Sequence, residues 1–177
     1  MSKKVYISAD QQNRDAFAFA KSIWDTGYRP DLLVGLWRGG TPIAISVHEF
    51  FVFKGHQCAN LPVKCSSYSG MSQTSSFSID LPEKFNTFLT PGKKILVVDD
   101  VFDSGQTAWR LKQLLAEAGC EPKIATLYYK PHNNKTEIEP DFFLKATNEW
   151  IVFPHELEGL TPEEIKEKDP EIARLCE

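Results

Sequence analysis

Apolar positions along the chain fall into short β-type runs separated by helical stripes. Val5-Tyr6-Ile7 begins a short strand or extended arm. Asp10 is a candidate N-cap, after which Ala16, Phe17, Ala20, Ile23 and Trp24 repeat at helical spacing and Gly27 supplies a stop. Leu32-Leu33-Val34-Gly35-Leu36-Trp37 predicts a buried strand. Arg38-Gly39-Gly40 follows, and Thr41 with Pro42 makes an N-cap and N1 pair for a helix through about Phe53. Leu61-Pro62-Val63-Lys64-Cys65 predicts another strand, and Phe77 to Leu81 a returning one. Pro91-Gly92 is a turn before the stretch around which the chain is organised. That stretch opens with Lys93-Lys94-Ile95-Leu96-Val97-Val98, an apolar, mostly β-branched run of the kind buried on both faces. After it, Leu111, Leu114, Leu115 and Ala118 mark a helix stopped by Gly119. Lys123 to Tyr129 reads as the next strand, Trp150 precedes a last one, and Leu157 to Glu177 is charged and helical in pattern.

Composition narrows the classes. The 177 residues suffice for one domain with a sizeable core, and 42% apolar with 25% charged residues is ordinary for a soluble globule. A net charge of −4 offers no basic footprint for nucleic acid or an anionic membrane. No apolar run approaches transmembrane length, and Met1-Ser2-Lys3-Lys4 is not followed by a signal-peptide core. Cys58, Cys65, Cys120 and Cys176 form no Cys-x-x-Cys pair and read as free thiols in a reducing cytoplasm.

The chemistry is concentrated after Val98. Asp99 and Asp100 close the buried run, and Asp103-Ser104-Gly105-Gln106-Thr107 leads into the helix. A loop with one Gly and two hydroxyls before a helix N-terminus suits a phosphate. Three acids beside it would repel a bare phosphate. They make sense facing sugar hydroxyls, a divalent cation or a proton to be removed, and a sugar phosphate with a metal satisfies all of these. There is no Gly-Lys-Ser/Thr of a P-loop and no Gly-x-Gly-x-x-Gly after a strand. Arg38-Gly39-Gly40 is a second anion-friendly loop, with one cation beside two glycines. Ser66 to Ser76 is small, polar and uncharged, and reads by itself as a mobile loop. Lys130 ends the strand after the central helix, on the same edge as the acids.

Val97-Val98-Asp99-Asp100-Val101-Phe102-Asp103-Ser104-Gly105-Gln106-Thr107 resembles the PRPP-binding motif of type I phosphoribosyltransferases: a hydrophobic strand, two acids, two mostly apolar residues, then Asp-Ser/Thr-Gly-x-Thr. The resemblance extends over about Val5 to Glu156. It implies an α/β domain over 1–156 with a mostly parallel central sheet flanked by helices and a small base-recognition hood. Residues 157–177 would be a C-terminal helical extension. Arg38-Gly39-Gly40 matches the pyrophosphate loop of purine members, where a peptide is often strained. Ser67-Tyr68 matches a pair on a lid that keeps water from the reacting sugar. Lys130 matches a lysine that donates to the exocyclic O6 of the base, Trp150 an aromatic that stacks on it, and Ile151 the position whose backbone reads its edge. Trp-Ile-x-x-Pro at 150–154 is similar to the bacterial xanthine–guanine type, but Val152 stands where those enzymes have an acid, which leaves the exact base open.

The function implied is a 6-oxopurine phosphoribosyltransferase of purine salvage, in which hypoxanthine, guanine or xanthine displaces pyrophosphate from PRPP. Asp103 would take the proton from N7 of the base. Asp99 and Asp100 would hold the ribose hydroxyls and Mg²⁺, and Ser104, Gly105, Gln106 and Thr107 would seat the 5′-phosphate. A cytoplasmic homo-oligomer, a dimer or tetramer, is expected. Three alternatives stay open: a phosphoribosyltransferase for adenine, orotate or uracil, a regulator of the same fold that senses PRPP without catalysis, and a plain nucleotide-binding α/β protein, which the acidic pair disfavours.

Overall fold

The computed structural model describes residues 4–68, 76–80 and 85–177, with backbone alone for 66–68 and 76–80. Its elements run β1 (Lys4–Tyr6), α1 (Ala9–Asp25), β2 (Leu32–Trp37), α2 (Gly40–Phe53), β3 (Ala59–Tyr68), β4 (Ser76–Asp80), β5 (Lys94–Phe102), α3 (Gln106–Glu117), β6 (Glu121–Tyr129), β7 (Phe142–Ala146), β8 (Trp150–Val152), α4 (Pro162–Lys168) and α5 (Pro170–Leu175). Contacts divide the chain into a larger unit, Asn13–Asn148, and a smaller one of Met1–Gln12 with Glu149–Glu177.

The larger unit is built on a six-stranded sheet of order β4-β3-β2-β5-β6-β7. All its pairings are parallel except β3 with β4, which are antiparallel. The mostly parallel α/β class expected from the sequence is met. The β-branched runs form the central strands because both faces of the sheet are covered. Leu32, Val34 and Leu36 of β2 join Ile95 and Val97 of β5 and Leu111 and Leu115 of α3 in one core cluster. Gly35 points the other way, where an added Cβ would lie 2.9 Å from Ala44 Cβ of α2. On α2, Ile43, Val47 and Phe51 are buried. Each such fully buried aliphatic or aromatic side chain contributes about 1.5–3 kcal/mol.

In the smaller unit β1 and β8 pair in parallel, Lys4 opposite Trp150. Thr161 and Glu164 form a reciprocal capping box at the start of α4. Glu164 also accepts from Lys4 Nζ at 2.6 Å.

Several local expectations change. Helix α1 begins at Ala9, and the Ser8 hydroxyl, not Asp10, accepts from Gln11 N–H. Phe19 is buried on α1 while Phe17 is 39% exposed, because the buried stripe runs Ala16, Phe19, Ala20, Ile23. Helix α2 starts two residues earlier than Thr41-Pro42 implied: Gly39 is its N-cap and makes no side-chain cap. The early start follows from close packing of Gly40 on β5. A Cβ there would lie 2.2 Å from the Val98 carbonyl oxygen and 2.8 Å from Asp99 Cα, backbone atoms that cannot swing aside. Gly40→Ala is therefore expected to destabilise the protein by about 1–3 kcal/mol. A urea unfolding midpoint equal to that of the wild type would contradict this packing.

Candidate active site

Strands β2 and β5 are neighbours in the middle of the sheet, yet the chain leaves them in opposite directions, β2 towards β3 and β5 towards β6. The loops at their carboxyl ends therefore diverge and open a crevice, the usual ligand position in an open α/β sheet. Arg38-Gly39-Gly40 leaves β2 and Asp103-Ser104-Gly105 leaves β5, so both sequence-predicted anion loops lie on this edge. The Trp37–Arg38 peptide is cis. A Cβ on Gly39 would meet Asp100 Oδ2 at 1.9 Å, so only a glycine lets this loop lie against the acidic pair.

The acids are not in a loop after the strand. Strand β5 carries them, because β6 continues to pair past the apolar run, with Asp99 opposite Thr126 and Phe102 opposite Tyr129. Asp99 Oδ1 accepts from Asp100 N–H at 2.9 Å, and Asp100 Oδ1 from Val101 N–H at 2.7 Å. Burial, reinforced by the Asp100 carboxylate, pushes the Asp99 carboxyl well above the ordinary carboxylate range, against the opposing effect of the Asp100 N–H. Burial, with a smaller contribution from Asp99, also pushes the Cys65 thiol up to about 11. The four cysteines are free, as the sequence suggested.

The next loop is shaped by Gly105. It adopts φ 73° at the N-cap of α3 and makes no side-chain cap. A Cβ there would strike the Phe102 ring at 2.4 Å. The first amides of α3 are thus left without a capping side chain, beside the Ser104 and Thr107 hydroxyls. Asp99, Asp103, Ser104, Gly105 and Thr107 help line one cavity of about 140 Å³.

Asp103 and Lys130 are brought together. Lys130 Nζ donates to Asp103 Oδ2 at 2.9 Å, and Lys130 is 8% exposed. The other oxygen, Oδ1, accepts from Asn133 Nδ2 at 2.8 Å. Backbone bonds tie the same two segments: Lys130 N–H to Phe102 O at 2.9 Å and Lys135 N–H to Ser104 O at 3.0 Å. Sequence reading missed Asn133. It lies in a polar stretch after β6 that carries no recognisable motif, and only the three-dimensional turn points it back at Asp103.

The remaining predicted residues are carried by other elements. Ser67 and Tyr68 end β3, opposite Phe77 and Ser76 of β4. Their side chains, and loop residues 69–75, lie outside the described residues. Trp150 and Ile151 belong to the smaller unit. Trp150 is 55% exposed, so it is no core tryptophan, and Lys4 Nζ lies 5.9 Å from its ring centroid. Ile151 is buried. Among the described residues no helix is long and apolar enough to cross a membrane.

A family model described as the phosphoribosyl transferase domain matches residues 9–159. The chain belongs to the phosphoribosyltransferase family, a family of pentosyltransferases. Among its relatives, the hypoxanthine-guanine phosphoribosyltransferase of Lactococcus lactis is 32% identical over 125 residues, 68% of this chain and 64% of that protein. A xanthine-guanine phosphoribosyltransferase of Nitratidesulfovibrio vulgaris is 29% identical over 161 residues, 88% of this chain and 87% of its own. The crystal structure of a purine phosphoribosyltransferase from Pyrococcus horikoshii has a TM-score of 0.71 at 28% identity, over 89% of this chain and 97% of that one. The family resemblance read from Val97 to Thr107 is borne out.

The state of Asp99 has a measurable consequence. A carboxyl whose folded value is raised above its unfolded one makes stability fall as pH rises from the ordinary carboxylate range towards that raised value. Asp99→Asn removes that loss. In ligand-free buffer with a chelator, the melting temperature of Asp99→Asn relative to wild type should rise as the pH goes from about 4 to about 8. A difference that does not change with pH would contradict the buried, like-charged environment.

Proposed function

We propose that this protein is a 6-oxopurine phosphoribosyltransferase, forming a nucleoside 5′-monophosphate and pyrophosphate from PRPP and hypoxanthine, guanine or xanthine. The observation that carries this reading is the contact between Lys130 Nζ and Asp103 Oδ2 at 2.9 Å. It sets a cationic donor beside an anionic acceptor. A 6-oxopurine presents O6 and N7 on one edge. With the proton on N7, that edge is an acceptor beside a donor, the complement of Lys130 beside Asp103. A 6-aminopurine would turn N–H groups towards an ammonium that can only donate.

In the reaction, N9 bonds to C1 of the ribose while the C1–O bond breaks and its electron pair leaves with pyrophosphate. The N7 proton passes to Asp103, and its bonding pair stays in the purine ring. A general base of this kind is typically worth about 10²–10⁴-fold. Ser104, Gly105, Gln106 and Thr107 seat the 5′-phosphate at the uncapped start of α3. Arg38, Gly39 and Gly40 seat the pyrophosphate. Asp99 and Asp100 face the ribose hydroxyls, whose O–H groups suit acceptors. Ser67 and Tyr68 serve the lid, and Trp150 and Ile151 the purine, on the strength of the family resemblance.

Mg²⁺ fits the acidic pair. Among the described residues no cluster of three or more His, Cys, Asp or Glu side chains forms a protein cage for a metal. Mg²⁺ needs none, since it is commonly held by one or two carboxylates together with waters and substrate phosphates. Asp99 and Asp100 would be those carboxylates, and their mutual repulsion is what a cation relieves. When bound it would neutralise pyrophosphate charge.

The test is pyrophosphate release from PRPP and Mg²⁺ with hypoxanthine, guanine, xanthine, adenine, orotate and uracil in turn. Turnover with one or more 6-oxopurines, at least tenfold above adenine, is the expected outcome. Preference for adenine or a pyrimidine would contradict the assignment of Lys130. Binding of PRPP without turnover of any base would make the protein a sensor rather than an enzyme.

A further inference from the structure

Both carboxylate oxygens of Asp103 are occupied from one segment. Lys130 Nζ takes Oδ2 and Asn133 Nδ2 takes Oδ1. An ionised carboxylate only accepts, so the amide nitrogen of Asn133, not its oxygen, must face it. The segment that carries Asn133 is itself fixed. Asn133 N–H donates to Lys130 O at 3.1 Å, closing a single 3₁₀ turn over Pro131–Asn133. Asn134 Oδ1 accepts from Thr136 N–H at 2.9 Å and from Thr136 Oγ1 at 2.8 Å. Asn134 Nδ2 donates to Ile138 O at 2.8 Å. With the backbone bonds from Lys130 to Phe102 and from Lys135 to Ser104, this strap is fastened on either side of Asp103.

We propose that Asn133 is a positioning residue for the proton transfer, an inference that rests on the function proposed above. Asn133 holds Oδ1 throughout, while Lys130, on turning to the O6 of the base, leaves Oδ2 as the oxygen offered to the purine. As Lys130 donates to O6, the N7–H bond breaks, the proton goes to Oδ2 and the bonding pair remains in the ring. Throughout, the Asn133 amide keeps the carboxyl from rotating out of line. The requirement at position 133 is for an N–H donor, not for shape. An alanine leaves Oδ1 unheld. An aspartate, nearly isosteric with asparagine, places a second carboxylate against Asp103 and turns attraction into repulsion. A glutamine keeps the donor.

The experiment measures kcat, and KM for both substrates, in wild type, Asn133→Ala, Asn133→Asp and Asn133→Gln, with Asp103→Asn for reference. Asn133→Ala should lower kcat about tenfold and leave both KM values within about twofold, the signature of a misaligned reacting group. Asn133→Asp should lose more than Asn133→Ala, and Asn133→Gln should lose less. A merely structural residue would give the reverse order, with the isosteric aspartate mildest. Wild-type kcat in Asn133→Ala or in Asn133→Asp overturns the inference while the proposed function stands. A wild-type protein that turns over no base overturns the proposed function, and this inference with it. If Asn133→Ala does not fold, the order of the aspartate and glutamine variants decides alone.

Discussion

The crevice depends on two adjacent carboxylates carried at the carboxyl end of a central strand. Asp99 and Asp100 cannot separate, because strand β5 fixes their backbones and each already accepts a neighbouring amide N–H. The Gly39 backbone lies against Asp100. Burial first, and then the like charge of Asp100, disfavour ionisation of Asp99, whose carboxyl is shifted well above the ordinary carboxylate range. Above the ordinary carboxylate range such a pair costs stability. Hydroxyl donors or a cation placed against the pair would offset the repulsion.

Three glycines make that pair usable. Gly39 and Gly40 let one loop press on β5, where a single Cβ would collide with a carboxylate or with backbone. Gly105 turns the chain into α3 with a positive φ and brings uncapped helix amides beside the acids. Anion-attracting backbone and anion-repelling side chains thus share a crevice of fixed geometry. This division suits a ligand with phosphates at its ends and hydroxyls between them.

Much of this was legible because it is local. The buried strands follow from β-branched runs, and the crevice from the residues that end them. Asp99 to Thr107 and Arg38 to Gly40 each close a predicted strand, and a mostly parallel sheet puts such strand ends on one edge. Strand β7 was not legible. It is a short, half-exposed edge strand, Phe142–Ala146, with no alternating pattern to mark it. The extent of β5 was hidden because pairing with β6, not hydrophobicity, carries it through Asp99 and Asp100. The pairing of Lys130 with Asp103, and of Asn133 with the other oxygen of Asp103, is a matter of how two loops from neighbouring strands meet. Residues 27 and 30 positions apart in sequence give no periodic sign of it.

The most direct measurement is a crystal structure with inosine 5′-monophosphate or guanosine 5′-monophosphate bound. The phosphate should lie on the backbone amides of residues 104–107, the ribose hydroxyls should face Asp99 and Asp100, and the purine should set O6 on Lys130 Nζ and N7 towards Asp103. A nucleotide whose phosphate lies away from that loop, or whose base turns another edge to Lys130 and Asp103, would contradict it.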